Sequence, residues 1–506
     1  MSIGSFNGTV ALVFASFISK VFGAIYRIPL SNLLGAEGMG LYQMAFPIYS
    51  FFLTFITGGV SSTLSRRISI CRAKGNNEQI KMNFIIGKRV SLFYGIIVSI
   101  VLLLLAYPIS YLQGNTDALL GYFAIMLGFV FATLLGVYRG YYQGHENMYP
   151  TAISQMLEQS LKLLIGLTLA WVLSKKSVTL GVVGALLGVS ISEIISFLYF
   201  LIKNKVSYKT KVRINKGHYI NFIKDCLPVS ASYGILPLST LIDSFLVINL
   251  LCISGFSKMF ATSLFGVEMG MVLPLINIPN IIISALAITY LPTLCFKLEK
   301  KNNISRDISN AFRVVLLLIL PCCVGVYIMA SPIISILYSG LNLTMHNIAT
   351  KLLQFSVFEM FFMCFVTISN CCLISINRTK TPMFSMGLGV IIKTILTSVL
   401  VPNLNINILG LVVASVCGYS ITCIINIGVL KNNVPFRLSA KNIISTIASV
   451  VVMAGFLIAY NAFLKGSTFV TFVTGVMMAI IIYFGIEMVF GELKIKDLKI
   501  WLQKGG

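Results

Sequence analysis

Lys20 and Arg27 stand seven residues apart in SKVFGAIYR, with Gly23 between them, inside the first long apolar segment of the chain. Seven residues make two helical turns, so a helix presents both cations on one face. A second constellation lies in TAISQMLEQSLKLLIG, where Gln155, Glu158, Gln159 and Lys162 recur at helical spacing. Guanidinium and ammonium groups suit phosphate oxygens. The chemistry these side chains offer is the holding of a polyanion rather than the making of bonds. Glu158 and Lys162 are also an i,i+4 pair, so mutual neutralisation and direct ligand contact are both open readings. For Arg27 the alternative is to snorkel towards the outer interface.

Four carboxylates also interrupt apolar segments: Glu193, Asp243, Glu268 and Glu359. Asp243 shares a helical face with Ser239 and Thr240, which suits either a sodium ion or a satisfied hydrogen-bond cluster. Glu193 and Glu359 read most simply as counter-ions for buried lysines. Eleven cysteines occur without a pair of CxxC motifs, which reads as packing. His145, His218 and His346 fall in loops, which argues against a histidine metal centre, and the absence of a GxxxxGK[ST] loop argues against ATP hydrolysis. Neither an enzyme nor a resident cofactor is expected; a coupling ion, sodium or proton, is left open.

The elements that position these residues must be membrane helices. The 506 residues are 57% hydrophobic and 10% charged, with a mean hydropathy of +0.92. Apolar runs of the roughly 20 residues needed to cross a bilayer recur at 6–29, 41–63, 88–110, 119–142, 151–173, 178–202, 226–251, 264–293, 311–331, 351–375, 382–402, 408–430, 442–464 and 468–490. They are continuously apolar, unlike the alternating strands of a membrane barrel. The expectation is an all-α polytopic membrane protein of about fourteen transmembrane helices. The first segment lacks a basic leader and a cleavage signal, so it reads as retained.

The net charge is +23, and 29 of the 38 lysines and arginines fall in alternate loops and the C-terminal tail. That asymmetry puts both termini in the cytoplasm, favours attraction to anionic membrane lipids and argues against nucleic acid.

Polar residues 204–225 divide the chain. HENMYP precedes the segment holding Lys162, and NRTKTP precedes the one holding Lys393, with proline-to-lysine spacings of twelve and eleven. This suggests two pseudo-symmetric six-helix lobes, of the kind transporters build around a central site. The expected division is an N-lobe at 1–203, a basic linker at 204–225, a C-lobe at 226–431, and two added helices with a tail at 432–506. Lys162 and Lys393 then lie about 15 Å deep by helical rise, level with Lys20, which suggests a central chamber for an anion. Pro228, Pro237, Pro274 and Pro279, with Gly266 and Gly270, mark kinkable helices, either moving or static.

SKVFGAIYRIPLSNLLGAEGMGLYQMAFPIYSFF and YRGYYQGHENMYPTAISQMLEQSLKLL resemble the stage V sporulation protein B and polysaccharide-exporter group of the multidrug/oligosaccharidyl-lipid/polysaccharide flippase superfamily, which is similar to the lipid II flippases. The resemblance spans essentially the whole chain. It implies a V-shaped cavity that alternates between membrane faces, and a polyprenyl-pyrophosphate-linked glycan moved from the cytoplasmic to the outer leaflet of a bacterial cell membrane. It further implies that Lys20 and Lys162 occupy the family's basic positions, the second after SQ-x-x-EQ, while Arg27 is displaced by one from an arginine of some lipid II flippases. Some relatives couple to sodium through acidic residues on helices 7 and 11; here the eleventh segment carries Lys393 and no carboxylate. A monomer is expected, with envelope-synthesis enzymes as further partners. The rival readings are a cation-coupled multidrug antiporter of the same superfamily, a membrane glycosyl- or acyltransferase, and a non-transporting scaffold of envelope or spore-cortex assembly.

Overall fold

The computed structural model describes residues 3–203, 214–300, 303–437, 439–463 and 469–489. Helices account for nearly all of them. In chain order they are α1 (Ile3–Ala73), α2 (Asn77–Leu104), α3 (Ala106–Leu112), α4 (Leu119–Gly144), α5 (Tyr149–Ser174), α6 (Val178–Lys203), α7 (Lys216–Ile253), α8 (Lys258–Gly266), α9 (Leu273–Glu299), α10 (Ser305–Ile328), α11 (Ala330–Leu337), α12 (Leu343–Ser375), α13 (Lys380–Leu400), α14 (Leu409–Asn433), α15 (Ala440–Phe463) and α16 (Phe469–Val489).

Thirteen helices among the described residues are long and apolar enough to cross a membrane. The first of these contains two of the expected segments, because α1 runs through them with one break at Gly35 (φ 67°, ψ −174°). Only glycine enters that region freely. Counting the two arms of α1 separately restores the fourteen expected crossings.

Boundaries differ from the sequence reading where helices continue beyond the apolar run. The end of the expected linker is helical, since α7 begins at Lys216; residues 204–213 lie outside the described residues. Arg67 explains why the chain is ordered there. Its guanidinium donates to Asp225 Oδ2 at 2.7 Å, to the Asn221 carbonyl at 2.9 Å and to Asn83 Oδ1 at 3.2 Å. His218 and His346 likewise sit in the first turns of α7 and α12 rather than in loops.

By contact the chain forms two compact units, residues 1–274 with 394–411, and residues 275–393 with 412–506. The first unit holds α1 to α8. Its apolar centre joins Val60 and Leu64 of α1, Phe84 of α2, Tyr138 of α4, Phe200 of α6 and Phe222 of α7. Close helix approach comes from small residues, as in membrane bundles generally. A methyl at Gly188 would lie 2.2 Å from the Gly166 Cα, and one at Gly266 would lie 2.0 Å from the Ala36 carbonyl oxygen. The second unit packs Met453 and Leu457 of α15 against Tyr483 of α16, whose hydroxyl donates to the Leu317 carbonyl at 2.8 Å.

Candidate functional site in the first unit

The polar face of α5 meets the first arm of α1. Ser16 Oγ donates to Gln155 Oε1 at 2.9 Å, and Gly23 leaves room for Gln159, whose Oε1 would lie 3.6 Å from a methyl there. Glu158 does not pair with Lys162. Its Oε2 instead accepts from Arg139 Nη2 at 2.7 Å, while Gln159 Nε2 donates to Oε1 at 3.1 Å. Arg139 lies within α4. Its planar fork also reaches Ser154 Oγ at 2.9 Å, an arrangement for which a single ammonium has no equivalent.

Lys162 is thereby released to a different environment. Its Nζ stands 5.2 Å from the Tyr26 ring centre and 4.9 Å from that of Phe46, inside the distance at which an aromatic face attracts a cation. Tyr26 is fully buried, so this cradle is fixed by the packing of α1. Arg27 and Glu158 supply the charges that act on the ammonium.

Arg27 is held from the opposite direction. Between α8 and α9 the helix widens over Val267–Val272, where Leu273 N–H bonds the Glu268 carbonyl five residues back. In that register the next donor, to the Met269 carbonyl, would be residue 274. Residue 274 is proline and has no N–H. The Met269 carbonyl instead accepts from Arg27 Nη1 at 3.3 Å and from Gln43 Nε2. The kink expected at Pro274 is therefore a widened turn whose freed acceptor anchors α1.

Beside this network is a cavity of about 350 Å³, lined by Thr57 and Ser61 of α1, Arg139 and Gln143 of α4, Gln155 and Glu158 of α5, Glu193 of α6 and Tyr233 of α7. Glu193 is 3% exposed, and its Oε2 has no hydrogen-bond partner among the described residues. None of the described ion pairs includes it.

Lys20 is exposed on α1. Lys393 belongs to the second unit, where its Cβ would lie 3.2 Å from a methyl at Gly418. Asp243 and Glu268 are buried in the first unit and Glu359 in the second. The Thr240 hydroxyl donates to the Pro237 carbonyl at 2.9 Å on its own helix. Among the described residues no group of three or more histidines, cysteines, aspartates or glutamates is disposed to hold a metal. Sequence reasoning missed Arg139, Gln43, Tyr26 and Phe46. Arg139 had a signal, because an apolar segment containing Glu158 needs a cation, and Arg139 stands in the quoted YRGYYQG stretch. The aromatic pair had none.

A family described as polysaccharide biosynthesis protein matches residues 5–295. The chain is similar to stage V sporulation protein B of Bacillus subtilis (strain 168), 24% identical over 468 residues and covering 89% of this chain and 88% of that one. It is also similar to the lipid II flippase MurJ of the same organism, at 26% identity over 446 residues, covering 83% and 81%. Among solved structures, one described as lipid II flippase MurJ in an inward closed conformation superposes with a TM-score of 0.76 at 16% identity, covering 94% of this chain and 98% of that one. An inward-facing multidrug resistance MATE family transporter does so at 0.66 and 15%, covering 84% and 98%.

Proposed function

The chain belongs to the polysaccharide biosynthesis protein family, within the multidrug/oligosaccharidyl-lipid/polysaccharide flippase superfamily, and we propose that it moves a polyprenyl-pyrophosphate-linked glycan from the inner to the outer leaflet by alternating access. No covalent step is involved. The observation that carries this reading is the set of cations Arg27, Arg139 and Lys162 on α1, α4 and α5, with Arg139 lining a polar cavity among helices apolar enough to cross a membrane. Charged groups at such depth face a cavity or a partner.

The contacts of the cations include aromatic faces for Lys162, the Met269 carbonyl for Arg27, and Glu158 with Ser154 for Arg139. A diphosphate offers Lys162 and Arg27 a charge-assisted acceptor in place of a ring face and a neutral carbonyl, and offers Arg139 one of the same kind as Glu158. A ligand shifts a conformational equilibrium only through contacts that differ between the states. Transfer of Arg27 from the Met269 carbonyl to phosphate is such a difference, because it removes one of the two α1 side chains, Arg27 and Gln43, that tie α1 to the widened turn.

The decisive experiment uses proteoliposomes carrying a fluorescent polyprenyl-pyrophosphate sugar, with outer-leaflet exposure read by a membrane-impermeant quencher. Wild-type protein accelerates exposure, and Lys162→Glu does not. Equal exposure with and without the protein defeats the reading. A second reading, the cation-coupled multidrug antiporter, has one observation in its favour: the buried Glu193 carboxylate beside the cavity. It requires that an organic cation be expelled against an ion gradient in the same vesicles and that Glu193→Gln stop it. We place both termini in the cytoplasm on the charge distribution of the loops.

A further inference from the structure

The second unit contains a cavity of its own, about 300 Å³, with a different character. It lies where α10 and α15 begin, and its lining includes Arg306, Ser309, Asn310 and Arg313 of α10, Arg437 just before α15, and Thr446 of α15. Three arginines therefore line one concavity together with Ser309, Asn310 and Thr446. No carboxylate is among the lining residues. The nearest acid in sequence, Asp307, is engaged elsewhere, by Lys297 Nζ at 2.7 Å.

The cavity is also built. Ser309 Oγ donates to the Arg437 carbonyl at 2.7 Å, which fastens the segment before α15 to the first turns of α10. Phe436 stacks on Phe312 with ring centres 5.0 Å apart, fixing the same segment on its apolar side. The depth is informative. Past Arg313, α10 continues as the apolar run VVLLLILPCCVGVYI, so the arginines precede the stretch that would enter the hydrocarbon layer. The amides of two helix starts add to the field of the three cations.

We propose that this pocket binds the phosphate group of an anionic membrane lipid, at a site separate from the cavity of the first unit. Three arginines in one concavity match the several oxygens of a phosphate diester, and hydroxyl and amide donors complete its hydrogen bonding. A zwitterionic lipid carries its own ammonium into this cationic field and binds less well. The same phosphate chemistry is also available from a soluble anion, and the test separates the two sources.

Native mass spectrometry of the full-length protein in micelles is run with dioleoyl phosphatidylglycerol, dioleoyl phosphatidylcholine or glycerol phosphate as the added probe. Wild-type protein keeps one phosphatidylglycerol that phosphatidylcholine does not replace. Arg306→Gln with Arg437→Gln, both at exposed positions, weakens that binding by about tenfold or more. Lys216→Gln with Lys224→Gln, which removes the same charge from α7, leaves it intact. Glycerol phosphate bound as tightly, and lost in the arginine variant, keeps the site and assigns it to a soluble phosphate. The proposal is overturned if the arginine variant retains phosphatidylglycerol and glycerol phosphate as wild type does, or if the lysine variant loses as much.

Discussion

Arg27 and Met269 are joined across 242 positions of sequence by a hydrogen bond from Arg27 Nη1 to the Met269 carbonyl. The bond exists because of a third residue. Pro274 cannot give the N–H that would otherwise occupy that carbonyl, so a defect in one helix becomes the anchor of another.

Restoring the missing N–H tests this directly. Pro274→Ala should strengthen the α8–α9 helix by up to about 3 kcal/mol and give the turn at Val267–Val272 an internal partner. The expected outcome is a raised thermal midpoint and slower hydrogen exchange at residues 267–273, together with slower flipping. A lowered midpoint would contradict the freed-carbonyl account.

Arg139 and Glu158 form the most enclosed of the described ion pairs, with side chains 18% and 20% exposed. Removing either partner leaves the other poorly solvated, so Arg139→Gln and Glu158→Gln should each cost about 2–3 kcal/mol, below the full buried-pair range because one-fifth of each side chain is wetted. The double variant should cost less than the sum. Asp225 is 40% exposed beside Arg67, and Asp225→Asn should cost about 1 kcal/mol or less. Chemical unfolding of the four proteins checks the ranking.

Lys162 separates packing from charge. Lys162→Met keeps the bulk between Tyr26 and Phe46 and loses a cation–π contribution of about 0.5–2 kcal/mol, so the protein should fold while flipping is lost. Lys162→Arg should keep a measurable rate. Normal flipping by the methionine variant would remove Lys162 from the substrate path.

Gly188 permits α6 to touch α5 at Gly166. Gly188→Val introduces a branched side chain where even one methyl has no room, and should destabilise by at least about 1–3 kcal/mol. Reduced yield and a lower midpoint in a thermal-shift assay are the readouts. Gly428, with nothing within 4 Å of an added methyl, should accept alanine without a comparable loss.

Much of this architecture was legible in advance, for reasons that can be traced residue by residue. Apolar length announces a crossing because unsatisfied backbone is expensive in lipid, and each apolar run after the second is covered by a long helix, though several of these helices start well before their run. The continuous α1 was not legible, because the short polar stretch around Glu37 reads as a loop and the turn is made by Gly35 alone. The polar face of α5 was readable from spacing, and the helix interface and cavity it serves are both present. Its ion-pair partner was signalled only by the need of Glu158 for a cation, and that signal was masked by Lys162 one turn away, whereas the better-placed guanidinium is on α4.

The sequence by itself determined that the chain is a bundle of membrane helices with charges held inside it, because hydropathy and helical periodicity are local quantities. Only the tertiary structure decided which charge meets which partner. Pairing depends on side-chain reach and on which helices lie side by side. Those helices are brought together by glycine contacts and by a widened turn, whose partners on α1 lie more than two hundred residues away in sequence.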